Sequence, residues 1–125
     1  MSQILVAEDS FALANLLCFV LKNAGFEVDL HRNGQSAYDA VCRRSYDILL
    51  FDQQMPKMTG LEIIGAIRSG GPNSETPVFL CTAKSREINA EAKLERLAIS
   101  AIIHKPFSPK DLVYQLQNAV QPLKV

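Results

Sequence analysis

Five short apolar runs, separated by longer segments with helical spacing, constrain the fold of this chain more than any other feature of its sequence. The runs are predicted strands and occupy residues 3–7, 26–31, 48–51, 78–81 and 101–103. The second run alternates apolar Phe26, Val28 and Leu30 with polar residues, as in an edge or half-exposed strand, whereas the other runs are continuously apolar apart from Gln3. Strands that alternate with helices in this way predict an α/β fold, with a parallel sheet covered by helices on both faces.

The segments between the strands carry the capping and stop residues of helices. Ser10 is placed to cap the first helix, and Gly25 is placed to end it. Apolar residues at helical spacing predict further helices around 37–41, 61–67 and 112–123, weaker periodicity predicts one over 84–97, and 70–74 is a turn-rich loop. Five strand–helix units in 125 residues predict one open, doubly wound domain over 1–125, since a closed eightfold barrel needs roughly twice this length.

Composition and charge argue against several classes of function. Apolar residues make up 48% of the chain, which is enough for a packed core, and 13 basic residues balance 13 acidic ones. This balance disfavours a protein that binds nucleic acid or a membrane surface through excess positive charge. The first residues do not resemble a secretory signal, and the longest apolar stretch is interrupted at Asn15. We therefore expect a cytoplasmic protein, and the three separated cysteines predict neither a disulfide nor a zinc site.

Polar residues follow four of the predicted strands, at the point where each strand ends. They are Glu8 and Asp9 after the first strand, Asp52 after the third, Thr82 after the fourth and Lys105 after the fifth. Because the carboxyl ends of parallel strands form one edge of a sheet, these side chains are expected to converge there. Three neighbouring carboxylates repel one another, and Mg²⁺, which prefers oxygen ligands, would remove that repulsion. A carboxylate nucleophile beside a cation, a lysine and a hydroxyl is typical of phosphoryl transfer.

The same residues resemble the motifs of bacterial response-regulator receiver domains, over essentially the whole chain. Glu8-Asp9 resembles the acidic pair of that family, and residues 52–60, Asp-Gln-Gln-Met-Pro-Lys-Met-Thr-Gly, resemble its phosphoacceptor loop. The remaining two motifs are matched by Thr82-Ala83 and by Lys105-Pro106-Phe107. Any one match is weak, but four in order at the ends of strands are specific. The resemblance implies a flavodoxin-like sheet with the strand order 2-1-3-4-5.

The resemblance implies a phosphoacceptor and a metal site. Asp52 would accept the phosphoryl group and also ligate Mg²⁺. The other ligands would be Asp9 directly, Glu8 mostly through water, and the backbone carbonyl of Gln54. Beyond its own phosphorylation and slow dephosphorylation, the domain is not expected to be an enzyme.

Partners and a conformational switch are also implied by the resemblance. Thr82 and Lys105 would contact the phosphoryl oxygens, and the Lys105-Pro106 peptide bond would be cis. The phosphoryl donor would be a phosphohistidine on a histidine kinase or a histidine phosphotransfer protein. A downstream protein would bind the face from Lys84 to Val120, and the domain would be a monomer or a phosphorylation-dependent homodimer.

Several positions depart from the family pattern. Ile102 stands three residues before the lysine, where receiver domains usually have an aromatic ring that turns inward on phosphorylation. Isoleucine is stiff at χ1, so it cannot copy that movement. Ala98 and Thr59 replace a frequent glycine and a frequent acid. Two further positions, Gln54 and Lys84, flank the phosphoryl group in the family and tune its lifetime.

Other interpretations of these residues remain open. The acids after the strands could cap helices, and His31 and His104 have no ligand-spaced partner, which favours structural or surface roles for both. A degenerate receiver would bind proteins independently of phosphorylation and would never use its site. An enzyme of the same fold class ranks lowest, because Gln54 stands where an aspartate-based phosphatase usually has a second acid and the P-loop signature is missing.

Overall fold

The computed structural model of the protein describes residues 2–83 and 95–120. Its elements, in chain order, are β1 (Gln3–Ala7), α1 (Phe11–Asn23), β2 (Glu27–His31), α2 (Gly34–Arg43), β3 (Ile48–Asp52), α3 (Gly60–Arg68), β4 (Val78–Thr82), β5 (Ala101–His104) and α4 (Pro109–Val120). The helix predicted over 84–97 falls mostly on 84–94, and the predicted end of the last helix falls on 121–123, both outside the described residues. In the ranges that are described, no helix has the length and apolar character needed to cross a membrane.

The strands of the described segments form one parallel sheet with the order β2-β1-β3-β4-β5. This confirms the doubly wound α/β fold and its flavodoxin-like order, and it puts β2 at an edge, one of the two settings that its alternating sequence predicted. The central strands β3 and β4 are buried at every residue. The register pairs Ala7 with His31 and Phe51, Asp52 with Cys81, and Thr82 with His104. The polar residues at and after these positions therefore meet at one edge of the sheet.

Side chains on the two faces of the sheet form separate apolar cores. The core under α2 and α3 includes Leu5, Leu49, Phe51, Ile63, Ile64 and Leu80. The core under α1 and α4 includes Ile4, Val6, Leu17, Leu50, Leu112 and Leu116. Successive residues of each strand alternate between the two cores, because side chains in a strand point to opposite faces. Each such side chain contributes on the order of 1.5–3 kcal/mol when buried, so both helix layers are firmly attached to the sheet.

Local signals explain where the helices begin and end. Ser10 occupies the N-cap position of α1, as predicted, but its side chain makes no capping hydrogen bond. Thr59 caps α3 more completely: its hydroxyl accepts from the N–H of Glu62, whose carboxylate accepts from the N–H of Thr59. Gly25 follows α1 with a φ of +96°, which ends the helix at the predicted residue.

Two glycines let the loop between β3 and α3 lie close to its neighbours. A Cβ atom on Gly34 would come within 1.9 Å of the carbonyl oxygen of Met58, and one on Gly60 within 2.8 Å of the carbonyl oxygen of Asp52. The N–H of Gly34 also donates to the carbonyl of Pro56 at 3.1 Å. The loop after Asp52 is therefore fixed against the start of α2 and the end of β3.

A polar centre lies at the opposite edge of the sheet, beside the amino ends of β3 and β4. Asn73 is 1% exposed. Its amide nitrogen donates to the carbonyls of Val41 and Arg44 at 2.7 and 2.8 Å. Its amide oxygen accepts from the N–H of Tyr46 and the hydroxyl of Thr76, both at 3.0 Å. All four bonding positions of the amide are used, so a residue that the sequence places only in a turn-rich loop joins α2 to the sheet.

Candidate functional site

Three carboxylates meet at the carboxyl edge of the sheet. Glu8 and Asp9 follow β1, and Asp52 is the last residue of β3. One carboxylate oxygen from each of the three lies within 4.8 Å of the other two. Glu8 and Asp52 are 2% and 4% exposed, whereas Asp9 is exposed. The convergence and the mutual repulsion expected from the sequence are therefore present in the fold.

Lys105 brings a positive charge between two of these acids. Its Nζ donates to Oε1 of Glu8 at 2.9 Å and lies 3.0 Å from Oδ1 of Asp52. The second contact is an ion pair, and Lys105 is the one donor beside Oδ1 of Asp52 among the described groups. The N–H of Lys105 donates to the carbonyl of Thr82 at 3.0 Å, and the Lys105-Pro106 peptide bond is cis, as expected.

Burial and neighbouring charges change the acidity of both partners. Burial first, and then the charge of Glu8, raise the pKa of Asp52 from 3.8 to about 6, although Lys105 acts to lower it. Burial acts to lower the pKa of Lys105, but its contacts with Glu8 and Asp52 outweigh burial and raise the pKa overall. Lys105 is therefore a cation at neutral pH, while Asp52 ionises there against an unfavourable environment.

Thr82 and the loop after Asp52 form another side of the site. Thr82 is fully buried at the end of β4, and its hydroxyl donates to Oε1 of Gln54 at 3.3 Å. Gln53 ties the loop to α3, because its side-chain carbonyl accepts from the N–H of Leu61 at 2.8 Å. The side chain of Gln54 is thus in contact with Thr82, while metal ligation by its backbone carbonyl remains a prediction.

Ile102 lies on the same face of the sheet as Thr82. It pairs with Leu80, which is two residues before Thr82 in β4, and it packs partly buried against the core under α2 and α3. An isoleucine therefore occupies, on this face of the sheet, the position where the resemblance implies an aromatic ring. Ala98, where the family often has glycine, has a φ of +52°, a left-handed conformation that favours glycine.

The side chains of the two histidines make no described contact with the carboxylate cluster. Nδ1 of His31 hydrogen-bonds to the hydroxyl of Ser36, and Nε2 lies 3.2 Å from Oδ2 of Asp29. The carbonyl of His31 accepts from the N–H of Glu8 at 3.0 Å. His104 is exposed at the end of β5. These contacts give His31 a structural role and His104 a surface position, as expected.

Arg32 is a neighbour of the site that the sequence motifs do not reveal. Its Nη2 donates to the backbone carbonyl of Asp9 at 2.9 Å. The central carbon of its guanidinium lies 5.3 Å from the ring centre of Phe11. An arginine after an edge strand is usually a solvated surface residue, so no sequence signal predicted this contact.

Comparison with known proteins agrees with this geometry. The sequence model of the response regulator receiver domain family matches residues 4–117. The chain belongs to that family. The receiver domain is 31% identical over 116 residues to the transcriptional regulatory protein SrrA of Staphylococcus aureus. The aligned region covers 93% of this chain and 46% of SrrA. The chain thus spans less than half the length of the curated relatives that it matches.

Solved structures resemble the receiver domain over almost all of its length. A sensor protein from Polaromonas sp. JS666 is 28% identical with a TM-score of 0.85, and the match covers 96% of each chain. A CheY-like receiver domain protein from Methanospirillum hungatei JF-1 is 20% identical with a TM-score of 0.86, covering 97% of this chain and 94% of that one. The second match is evidence for the fold alone.

The acidic cluster of this receiver domain has a donor set that fits a divalent cation. Glu8, Asp9 and Asp52 offer carboxylate oxygens within 4.8 Å of one another. A hard cation such as Mg²⁺ prefers oxygen ligands of this kind. Burial and then the charge of Glu8 raise the pKa of Asp52, and a cation there would offset the second of these causes. The residues present are therefore compatible with a bound Mg²⁺.

Proposed function

We propose that this receiver domain accepts a phosphoryl group on Asp52 from a phosphohistidine of a partner protein, and that phosphorylation changes a protein-binding surface. The observation that carries the proposal is the setting of Asp52. Its carboxylate is 4% exposed, clustered with two other acids, and 3.0 Å from the Nζ of Lys105. An aspartate that merely capped a helix would instead accept hydrogen bonds from backbone N–H groups.

The proposed reaction is a transfer between two protein side chains. An oxygen of Asp52 attacks the phosphorus atom, the P–O bond forms as the P–N bond breaks, and the imidazole leaves with the bonding electron pair. Lys105 neutralises the negative charge of the phosphoryl oxygens during transfer. Attack by water on the aspartyl phosphate later restores the carboxylate and releases inorganic phosphate. We propose no enzymatic activity on any other substrate.

The proposed ligands of Mg²⁺ are Asp9, Asp52 and the backbone carbonyl of Gln54, with Glu8 acting through water. When bound, the cation would neutralise the carboxylates and polarise the phosphoryl group. The cluster of carboxylate oxygens supports this assignment. A magnesium site is also supported by the receiver domain of sensor histidine kinase PA1611 from Pseudomonas aeruginosa PAO1, whose structure has a magnesium ion coordinated in the active site cleft. That domain is 23% identical to this chain with a TM-score of 0.83, and the match covers 96% of this chain and 98% of that one.

Thr82 is proposed to convert phosphorylation into a change of shape. Its hydroxyl, which donates to Gln54, would donate instead to a phosphoryl oxygen. Ile102 cannot follow by turning a ring inward, so the change would pass to β5 through shifts of the backbone. The partner-binding face would be that from Lys84 to Val120, of which residues 95–120 are described.

The proposed donor is a histidine kinase or a histidine phosphotransfer protein. We place the domain in the cytoplasm, as its sequence leads us to expect. The output would be a changed protein contact, made by a monomer or by a phosphorylation-dependent homodimer.

Intact-mass analysis after incubation with acetyl phosphate tests the proposal. The wild-type protein should gain one phosphoryl group in the presence of Mg²⁺ but not in EDTA, and hydroxylamine should remove it. Asp52→Asn should gain none, whereas the control Asp39→Asn, at an exposed position on α2, should behave as wild type. Equal labelling of Asp52→Asn and wild type would disprove the assignment of the acceptor.

Ile102 favours a second candidate, a degenerate receiver that binds proteins without being phosphorylated. This alternative predicts no adduct with acetyl phosphate or with a phosphorylated kinase. It also predicts that a partner recovered with the wild-type domain binds Asp52→Asn with the same affinity. A partner whose affinity changes on phosphorylation would exclude it.

A further inference from the structure

The loop that carries the acidic pair is anchored at each of its three residues. The N–H of Glu8 donates to the carbonyl of His31 at 3.0 Å. The N–H of Ser10 donates to Oε2 of Glu8, also at 3.0 Å. The carbonyl of Asp9 accepts from Nη2 of Arg32 at 2.9 Å. The first anchor is purely backbone and the second uses a member of the acidic cluster, whereas the third comes from a side chain outside that cluster.

The guanidinium of Arg32, an exposed residue, also lies over the ring of Phe11. Phe11 is the first residue of α1 and is 67% exposed, and the guanidinium lies 5.3 Å from its ring centre. A cation over an aromatic face at this distance is attracted by the ring. Arg32 therefore connects the end of β2, the carbonyl of Asp9 and the start of α1 through one planar group.

We propose that Arg32 is a positioning residue for the metal site, which holds Asp9 where its carboxylate can ligate a divalent cation. The inference rests on the Mg²⁺ site of the proposed function. Glu8 and Asp52 are buried and therefore restrained by packing, but Asp9 is exposed and depends on its backbone contacts. Phe11 has a supporting role, because it restricts the orientations of the guanidinium.

The charge of Arg32 acts in the opposite direction. A guanidinium near a divalent cation repels it, so removal of the charge alone would strengthen Mg²⁺ binding. Removal of Arg32 should therefore weaken Mg²⁺ binding through lost positioning and strengthen it through lost repulsion. Arg32→Lys separates them, because lysine keeps the charge but lacks the planar group that stacks on Phe11 while donating to Asp9.

Isothermal titration with MgCl₂ at constant ionic strength tests the proposal. Arg32→Ala and Arg32→Lys should each weaken Mg²⁺ binding about three- to tenfold, and Phe11→Ala should weaken it about two- to threefold. The double variant Arg32→Ala/Phe11→Ala should be no weaker than Arg32→Ala alone, since both substitutions remove one anchor. The control Arg43→Ala removes the same charge at the exposed end of α2 and should leave the affinity unchanged.

Amide exchange in EDTA supplies a readout that does not depend on the metal. In Arg32→Ala, the amide of Ser10, which donates to Glu8, should exchange several-fold faster than in Arg43→Ala, while the melting temperatures of the two variants stay equal. A Mg²⁺ affinity of the charge-keeping variant Arg32→Lys equal to or tighter than that of wild type would overturn the inference and leave the proposed function intact. If the wild-type protein binds no Mg²⁺, the inference and the metal site of the proposed function both fail.

Discussion

Two buried polar side chains lie at opposite edges of the same sheet, and their surroundings differ in kind. Asn73, near the amino ends of the strands, is neutral, and all four of its bonding positions have partners between 2.7 and 3.0 Å. Asp52, at the carboxyl edge, is a carboxylate among carboxylates, and Lys105 is the one donor beside its Oδ1 among the described groups. The first arrangement stabilises the fold, whereas the second leaves a group that gains from new partners.

The largest expected effect on stability comes from a substitution of Asn73, near the amino ends of the strands. Asn73→Ala should lower the free energy of unfolding by about 3–5 kcal/mol, because it leaves the N–H of Tyr46 and two carbonyls without their partner. Urea denaturation measures this loss. The matched control Asn15→Ala, at an exposed position of α1, should change stability by less than about 0.5 kcal/mol. A loss below about 1 kcal/mol for Asn73→Ala would remove the contrast between the two edges.

The next effect has the opposite sign. In EDTA at pH 7.5, Asp52→Asn should raise the free energy of unfolding by about 1–3 kcal/mol, because it removes a charge that burial and Glu8 disfavour. The pH dependence follows from the raised pKa. The folded protein binds this proton more tightly than the unfolded chain, so the stabilisation is complete below about pH 4 and is lost as the pH rises through about 6. Wild type in EDTA should therefore lose more stability between pH 5 and 7.5 than Asp52→Asn does, and equal losses would contradict the raised pKa.

Mg²⁺ should offset part of the loss of stability that the charge of Asp52 causes. At a concentration about ten times its dissociation constant, Mg²⁺ should stabilise the wild-type protein by about 1.4 kcal/mol at pH 7.5. The gain should be smaller at pH 5, where protons compete for Asp52, and smaller in Asp52→Asn. Thermal melts with Mg²⁺ and with EDTA measure it. A gain that is independent of pH and of Asp52 would point to binding elsewhere on the domain.

The smallest expected effect refines the description of the amino edge. Arg68 joins Asn73 to Ala98, since its guanidinium donates to the carbonyls of both at 3.2 and 3.1 Å. Ala98 has a φ of +52°, so Ala98→Gly should relieve strain and stabilise the protein by about 0.5–1 kcal/mol. The matched substitution Ala66→Gly, inside α3, should destabilise it by about 1 kcal/mol. If both substitutions shift the denaturation midpoint in the same direction, Ala98 is not strained.

Much of the fold and the main members of the candidate site follow from local patterns. Continuous apolar runs predict buried strands, and Glu8, Asp9, Asp52, Thr82 and Lys105 are recognisable because each stands at or next to the end of such a run. The helix predicted from 84 to 97, and Lys84 with it, cannot be compared, since 84–94 lie outside the described residues. Ser10 shows the limit of such reasoning, because a residue in the cap position need not make the capping bond.

Asn73 and Arg32 could not have been identified in the same way. Asparagine in a turn-rich loop usually makes a local turn, and nothing in its neighbourhood in the sequence indicates the four partners that Asn73 binds. Arg32 is 23 residues from Asp9 and is joined to it only when β2 lies beside β1. Both contacts depend on which distant segments the fold brings together.

By itself, the sequence determined the alternation of strands and helices and the chemistry at the strand ends, because periodicity and chain order are local properties. The tertiary structure alone decided that Lys105 hydrogen-bonds to Glu8, 97 residues away, and forms an ion pair with Asp52. It also decided that the Asn73 amide has four hydrogen-bond partners, while Oδ1 of Asp52 has Lys105 as its one donor among the described groups. The reason is physical: burial, pKa and hydrogen bonding depend on the neighbours that close packing brings within about 3 Å of a group, and those neighbours come from remote parts of the chain.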